Sequence, residues 1–298
     1  MSKKLIFQGS GVALVTPMFD DGSINYEKLY ELIDFHINSK TDALIIAGTT
    51  GESSTLTDDE YIKLLKSTTE YVKSKIPVIA GSGSNSTAKA IIKSHQAKNA
   101  GVDGLLIVTP YYNKTSQAGI IKHYFSIAES VSLPIILYNV PSRTGLNITP
   151  ETYLKLSSHP NIVATKEASG DISNIIKTIS LCKDNLTVYS GNDDQIVPIL
   201  SLGGKGVISV AANIIPTQIH NICDLFFNNN FFESLELQLK FLPLINSLFQ
   251  SVNPIPIKQV MNSLNMNVGP CRLPLVLMNE SETENLKKIL QKYNLKIK

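Results

Sequence analysis

The sequence predicts a (β/α)8 barrel with a C-terminal helical extension, and three observations lead there. Short apolar segments recur eight times, at 12–15, 43–47, 78–80, 105–108, 135–138, 162–164, 186–189 and 207–210. They begin roughly every 20 to 35 residues, the room a strand, a helix and two loops need. Helical patterns fill the intervals: 26–38, 58–72, 86–99, 117–130, 150–157, 172–182 and 195–202. Thr57 or Asp58 and Thr149-Pro150 supply start signals, and Gly101 stops the third helix. A doubly wound sheet would also alternate strands and helices, but the count and even spacing favour the barrel. A dinucleotide fold would show Gly-x-Gly-x-x-Gly after its first strand, where this chain has Thr16-Pro-Met-Phe19. Gly81-Ser-Gly83 lacks the third glycine, and Gly48-Thr-Thr-Gly51 lacks the Lys-Ser/Thr ending of a phosphate loop.

Near residue 212 the strand rhythm stops. Helical patterns follow at 217–227, 232–252, 257–264 and 282–293, interrupted by Pro254, Pro256, Gly269-Pro270 and Pro274. The expected division is a barrel over 1–225 and a helical region over 226–298 packed on it, with no flexible linker.

Composition excludes several classes. A formal charge of +2 over 298 residues, with charges dispersed, leaves no basic footprint for nucleic acid. Cys182, Cys223 and Cys271 are odd in number and without paired spacing, which predicts reduced thiols in a cytoplasmic protein. Lys3 and Lys4 are followed by Gln8-Gly-Ser-Gly11, which interrupts any apolar signal-peptide core, and no run reaches membrane-spanning length. Lys287, Lys288, Lys292, Lys296 and Lys298, with Glu282 and Glu284 upstream, fit a solvated final helix whose charges complement its dipole.

In a barrel, chemistry sits at the C-terminal strand ends. Here those ends carry Gly48-Thr-Thr-Gly-Glu52, Gly81-Ser-Gly-Ser-Asn85, Thr109-Pro-Tyr-Tyr-Asn113, Tyr138-Asn-Val-Pro-Ser-Arg-Thr-Gly145, Lys166-Glu167 and Ser190-Gly-Asn-Asp-Asp194. The ring holds hydroxyls, phenols, one amine and one guanidinium. His36, His95, His123, His159 and His220 fall in helices or feeding loops, so a zinc site lacks its ligands and no metal is expected.

Lys166 is the centre of this ring. Alternation places Ile162, Ala164 and Lys166 on one face of a strand bounded by Pro160-Asn161 and Gly170. Burial depresses an ammonium's pKa and frees a nucleophilic amine, which is what imine formation with a ketone needs. The competing reading is a lysine paired with Glu167 or snorkelling to solvent. Tyr138 shares a face with Ile136 on the adjacent strand and would serve as acid and base; a core tyrosine is the alternative. Thr49 and Thr50, between glycines, would bind a small carboxylate and relay a proton, and Arg143 suits a second carboxylate.

Taken together, Gly48-Thr-Thr-Gly-Glu-Ser53, Thr109-Pro-Tyr-Tyr-Asn-Lys114, Leu137-Tyr-Asn-Val-Pro-Ser-Arg-Thr-Gly145, Lys166-Glu-Ala-Ser-Gly170, Ser190-Gly-Asn192, Gly204-Lys-Gly-Val-Ile-Ser209 and Asn253-Pro-Ile-Pro-Ile-Lys258 resemble the dihydrodipicolinate synthase family, within the pyruvate-dependent superfamily that includes N-acetylneuraminate lyase. The resemblance spans nearly the whole chain in order and spacing. It implies a homotetramer, a dimer of dimers, of lysine and diaminopimelate synthesis that needs no cofactor. Lys166 would form the imine with pyruvate, and the enamine would add to L-aspartate 4-semialdehyde to give 4-hydroxy-tetrahydrodipicolinate. It further implies that Tyr138, Thr50 and Tyr112 relay protons, with Tyr112 reaching a neighbouring subunit. Thr49, Gly191 and Ile208 would line the pyruvate pocket and Arg143 receive the semialdehyde carboxylate. A sugar-acid lyase of the superfamily, and a non-catalytic pyruvate or amino-acid-binding barrel, are the alternatives. Arg143 separates the first, since related sugar-acid lyases usually carry an apolar residue there.

The resemblance also implies an interface pocket at Ser53, Ser54, Asp58, Tyr61, Asn85, Lys89 and Tyr111, where lysine-inhibited members bind L-lysine. Several of those have glutamate in place of Lys89 and histidine in place of Asp58. An ammonium there repels a cationic ligand by on the order of a few kcal/mol at intermediate dielectric, so weak or absent lysine inhibition is expected.

Overall fold

The computed structural model describes residue 3, residues 5–293 and residue 295, so Lys296 and Lys298 lie outside the described residues. Eight parallel strands close on themselves in sequence order: β1 (Gly9–Ala13), β2 (Ala43–Ile46), β3 (Val78–Gly81), β4 (Gly104–Val108), β5 (Ile135–Asn139), β6 (Ile162–Glu167), β7 (Thr187–Ser190) and β8 (Gly206–Ser209), with β8 pairing β1. Helices α1 (Tyr26–Asn38), α2 (Asp58–Val72), α3 (Thr87–Asn99), α4 (Gln117–Ser130), α5 (Pro141–Thr144), α6 (Pro150–Leu156), α7 (Ile172–Cys182), α8 (Ile196–Ser201) and α9 (Pro216–Phe227) follow the strands. Helices α10 (Phe231–Ser247), α11 (Ile255–Ser263) and α12 (Glu280–Gln291) form the C-terminal part. Among the described residues no helix is long and apolar enough to cross a membrane.

Local chemistry explains the helix starts. Thr57 and Glu60 form a reciprocal capping box on α2, Thr149 caps α6 ahead of Pro150, and Asn279 with Glu282 caps α12. Gly101, at φ +85°, ends α3 in the left-handed region that favours glycine.

The eight strands hold two apolar layers, one inside the barrel and one between barrel and helices. Two sequence expectations change here. The first strand begins at Gly9 rather than Val12, because β1 supplies small residues to a crowded interior. A Cβ on Gly11 would stand 2.7 Å from Ile45 Cδ1 and 2.9 Å from Phe7 Cζ. In β6 the strict alternation fails at its start. The register against β5 shifts between Ile135 and Ile136, so Ile162 belongs to the outer layer while Val163 and Ala164 face inward. From Ala164 onward the alternation holds, and Lys166 points into the barrel.

The extension returns to the barrel mouth. Lys258, on α11, forms a fully buried ion pair with Glu52 at 2.7 Å and also donates to the Pro270 carbonyl at 2.7 Å. Arg272 donates its backbone N–H to Glu52 at 2.8 Å and pairs through its guanidinium with Glu60. The guanidinium hydrogen bonds hold the Glu60 carboxyl down at about 2.

Candidate active site

Lys166 lies opposite Tyr138 in the β5–β6 register, and both side chains project inward. Its Nζ sits 4.4 Å from the centroid of the Tyr138 ring, within cation–π range. Lys166 is 6% exposed and Tyr138 7%. Among the described residues no carboxylate forms an ion pair with Lys166, which removes the pairing with Glu167 as an explanation for the lysine. Glu167 faces the other way, into a polar nest between strand and helix. It accepts from Tyr153 Oη at 2.8 Å, Asn139 Nδ2 at 3.0 Å and Ser169 N–H at 2.9 Å. Burial raises its carboxyl above the usual range, against those hydrogen bonds. The network ties the ends of β5 and β6, the strands that carry Tyr138 and Lys166.

A second buried carboxyl underlies the site. Asp193 accepts backbone N–H groups of Val210 and Ala211 at 2.9 and 3.1 Å. Burial raises its carboxyl, while Lys166 is among the influences that lower it.

Above the lysine opens a cavity of about 140 Å³, to which Thr49, Thr50, Tyr138, Arg143, Lys166 and Gly191 all contribute. Gly191 must be small: a Cβ there would lie 2.6 Å from the Ala168 Cβ, and its N–H is held by the Glu167 carbonyl at 2.7 Å. Thr49 and Thr50 ride a loop bracketed by two non-glycine residues in the left-handed region, Ala47 at φ 52° and Glu52 at φ 56°. Such strain persists only where surroundings over-determine it, and the Lys258 and Arg272 contacts to Glu52 supply that. Arg143 lies in α5, a single turn started by Pro141 that no periodicity signalled.

Two predicted site residues stand apart from this cavity. Ile208 is fully buried in the barrel interior, and Val210 lines the cavity in that region. Tyr112 is 92% exposed at a loop position with φ 67°. Sequence reasoning missed Asn253 and Phe249, which enter the lining from the C-terminal part. Asn253 heads the Asn-Pro-Ile-Pro-Ile-Lys run, but its pattern carries no sign of which strand end it reaches.

A larger cavity, about 780 Å³, adjoins the first through Thr49, Val140 and Arg143. Ser53, Ser54, Asp58, Asn85, Lys89 and Tyr111 line it. Tyr61 lies buried beneath, under the Lys93 ammonium at 5.2 Å. Among the described residues no cluster of three or more metal-ligating side chains occurs. Cys182 and Cys223 are buried, Cys271 is half-buried, and all three are free thiols.

Comparison with known proteins gives the family. Residues 6–293 match the Dihydrodipicolinate synthetase family. A 4-hydroxy-tetrahydrodipicolinate synthase of Clostridium novyi (strain NT) is 55% identical over 97% of both chains. One of Caldicellulosiruptor saccharolyticus is 55% identical over 98% of this chain and 99% of that relative. A crystal structure of the chloride-inhibited dihydrodipicolinate synthase from Acinetobacter baumannii, complexed with pyruvate, superposes with a TM-score of 0.95 at 39% identity, covering 98% of this chain and 100% of that one. A closed barrel with its amine at the C-terminal rim and a near full-length match in sequence lead to one conclusion: this chain belongs to the dihydrodipicolinate synthetase family.

Proposed function

We propose that this chain condenses pyruvate with L-aspartate 4-semialdehyde to give 4-hydroxy-tetrahydrodipicolinate, through an imine on Lys166 and without an added cofactor. The observation that carries this reading is the Lys166 amine itself, buried, without a carboxylate partner, and set over Tyr138 in a cavity shared with two threonine hydroxyls and a guanidinium. The amine adds to C2 of pyruvate, and proton transfer to the carbinolamine oxygen expels water and leaves the iminium. In this reading Tyr138 and Thr50 carry that proton. Loss of a methyl proton gives the enamine, whose carbon forms a new C–C bond to the aldehyde carbon of the semialdehyde. The aldehyde oxygen takes a proton and becomes the 4-hydroxyl. Attack of the substrate's own amino group on C2 closes the ring and returns Lys166 as the free amine. One water leaves for each pair of substrates joined.

Thr49 and Gly191 bind the pyruvate carboxylate end, and Arg143 receives the semialdehyde carboxylate as a bidentate donor. A guanidinium at the mouth favours a compact carboxylate over a polyhydroxylated chain. Tyr112 completes the relay of a neighbouring subunit in a tetramer, a dimer of dimers. Its 92% exposure and left-handed backbone at a loop tip support this role. The enzyme belongs to lysine and diaminopimelate synthesis in the cytoplasm. The larger cavity, with Lys89 on its wall, takes L-lysine poorly, and millimolar lysine leaves the rate largely unchanged.

Incubation with pyruvate and borohydride, followed by peptide mass mapping, is expected to place a reduced adduct on Lys166. An absence of adduct would sink the imine and leave a non-catalytic binding barrel. Faster cleavage of N-acetylneuraminate than turnover of the semialdehyde would overturn the substrate assignment.

A further inference from the structure

Arg143 rides a segment that cannot hold its own shape. Helix α5 is a single four-residue turn with no side-chain cap, and a turn that short does not persist without tertiary ties. The guanidinium borders both cavities and has one hydrogen-bond partner among the described residues, the Asn253 carbonyl at 3.3 Å. Most of its N–H donors are therefore free for a ligand. Where they point depends on what fixes residues 140–148.

Asn139, the last residue of β5, fixes them from behind. It is fully buried. Its Nδ2 donates to Asn147 Oδ1 at 2.7 Å and to the two carboxylate oxygens of Glu167 at 3.0 and 3.1 Å, while its Oδ1 accepts the Ile148 N–H at 3.2 Å. The neighbours dictate this orientation, because a reversed amide would set its oxygen against a carboxylate and its NH2 against a backbone N–H. Both polar atoms of the side chain are thus engaged, and the chain that leaves β5 at Val140 is brought back to Asn139 at Ile148, with Arg143 between. Glu167 is in turn held by Tyr153 Oη and the Ser169 N–H.

The amine and the phenol do not depend on this side chain. Tyr138 stands opposite Lys166 and Asn139 opposite Glu167 in the β5–β6 ladder, which continues as the Ala168 N–H donates to the Asn139 carbonyl at 2.9 Å. Those are backbone bonds, and they persist whatever side chain residue 139 carries.

We propose that Asn139 is a positioning residue that clamps the 140–148 segment to Glu167, aims the Arg143 guanidinium, and so sets the affinity for the semialdehyde carboxylate separately from imine formation at Lys166. This inference rests on the reading of Arg143 as the group that receives that carboxylate.

Asn139→Leu tests it, because leucine keeps the volume and removes both polar ends. KM for the semialdehyde is expected to rise at least about 10-fold, with the rate of borohydride trapping with pyruvate within about twofold of wild type. In an Arg143→Ala background the same change should add less than about twofold to KM. A residue that merely supports the fold would slow trapping as much as it raises KM, and would do so with or without the guanidinium. Either of those results overturns the proposal, as does an unchanged KM. If Asn139→Leu does not fold, Asn147→Ala cuts the same tie from its exposed end. There KM should rise about threefold, again only when Arg143 is present, and an unchanged KM overturns the proposal equally. Arg143→Ala alone separates the levels. If it leaves KM for the semialdehyde as in wild type, the carboxylate assignment and this inference fall together. If it raises KM while the Asn139 and Asn147 variants do not, this inference falls alone.

Discussion

Two lysines are buried at the mouth of this barrel, and they are buried in opposite ways. Lys258 is 1% exposed, paired with Glu52 and bonded to the Pro270 carbonyl, so its charge is compensated. Lys166 is 6% exposed, yet among the described residues it has a phenol ring beside it and no ion-pair partner. Burial alone therefore does not mark a reactive lysine. A buried ammonium with a carboxylate is a structural tie, because separating the pair strands a charge in low dielectric. One without a carboxylate partner, set at an open cavity, is where a carbonyl carbon can meet the amine.

The comparison breaks most sharply at Lys166. Lys166→Ala should lower turnover on the order of 10³-fold or more and abolish the pyruvate adduct, with the thermal unfolding midpoint near wild type. Retained turnover, or collapse of the fold, would erase the distinction between the two lysines. Lys258→Met should do the reverse. Leaving Glu52 buried and unpaired costs about 3–5 kcal/mol, read as a lower denaturant midpoint, while any protein that stays folded still traps pyruvate. Glu52→Gln should destabilise as well, by stranding Lys258. An unchanged midpoint in both variants would mean that the tie contributes nothing.

Tyr138→Phe sharpens the other side of the contrast. It keeps the ring under the amine and removes the hydroxyl, so kcat should fall by about 10²-fold with stability nearly unchanged. A rate equal to wild type would take the phenol out of the relay. The smallest effect concerns a buried base far from the site. Burial holds the His36 imidazole down at about 3. Because its folded value lies below the ordinary histidine value, the unfolded chain binds the extra proton. Stability is then complete above about pH 6.5 and declines as pH falls toward about 3. By pH 5 the loss from this one group is on the order of 2 kcal/mol, measurable as a denaturant midpoint that drops between pH 7 and pH 5. A His36→Gln variant should flatten that slope, and an unaltered slope would assign the acid sensitivity to other groups.

Much of this protein is legible in its sequence because the deciding interactions are local. An apolar run and a helical period each speak within a few residues, so the eight strands and the longer helices between them emerge from pattern alone. The loops at the strand ends then follow from barrel geometry, which is why Thr49, Thr50, Tyr138, Arg143, Lys166 and Gly191 could be gathered in advance. The misreadings come where crowding overrides pattern. Gly9-Ser-Gly11 carries no apolar signal and interrupts the run, yet the barrel interior needs residues that small, so β1 starts there. The register shift beside Ile135 turns Ile162 outward, which no period-two count could show.

By itself the sequence determined the barrel, the identity of the strand-end groups and the family to which they belong, since residue type and short-range periodicity are properties of the chain alone. Only the tertiary structure decided which buried lysine has a counter-charge and which does not, and that Asn253 meets Thr50 across 203 residues. The physical reason is that a charge or a hydroxyl acquires its chemistry from whatever lies within a few ångströms, and over long separations that neighbour is chosen by the folded packing and not by the spacing of the chain.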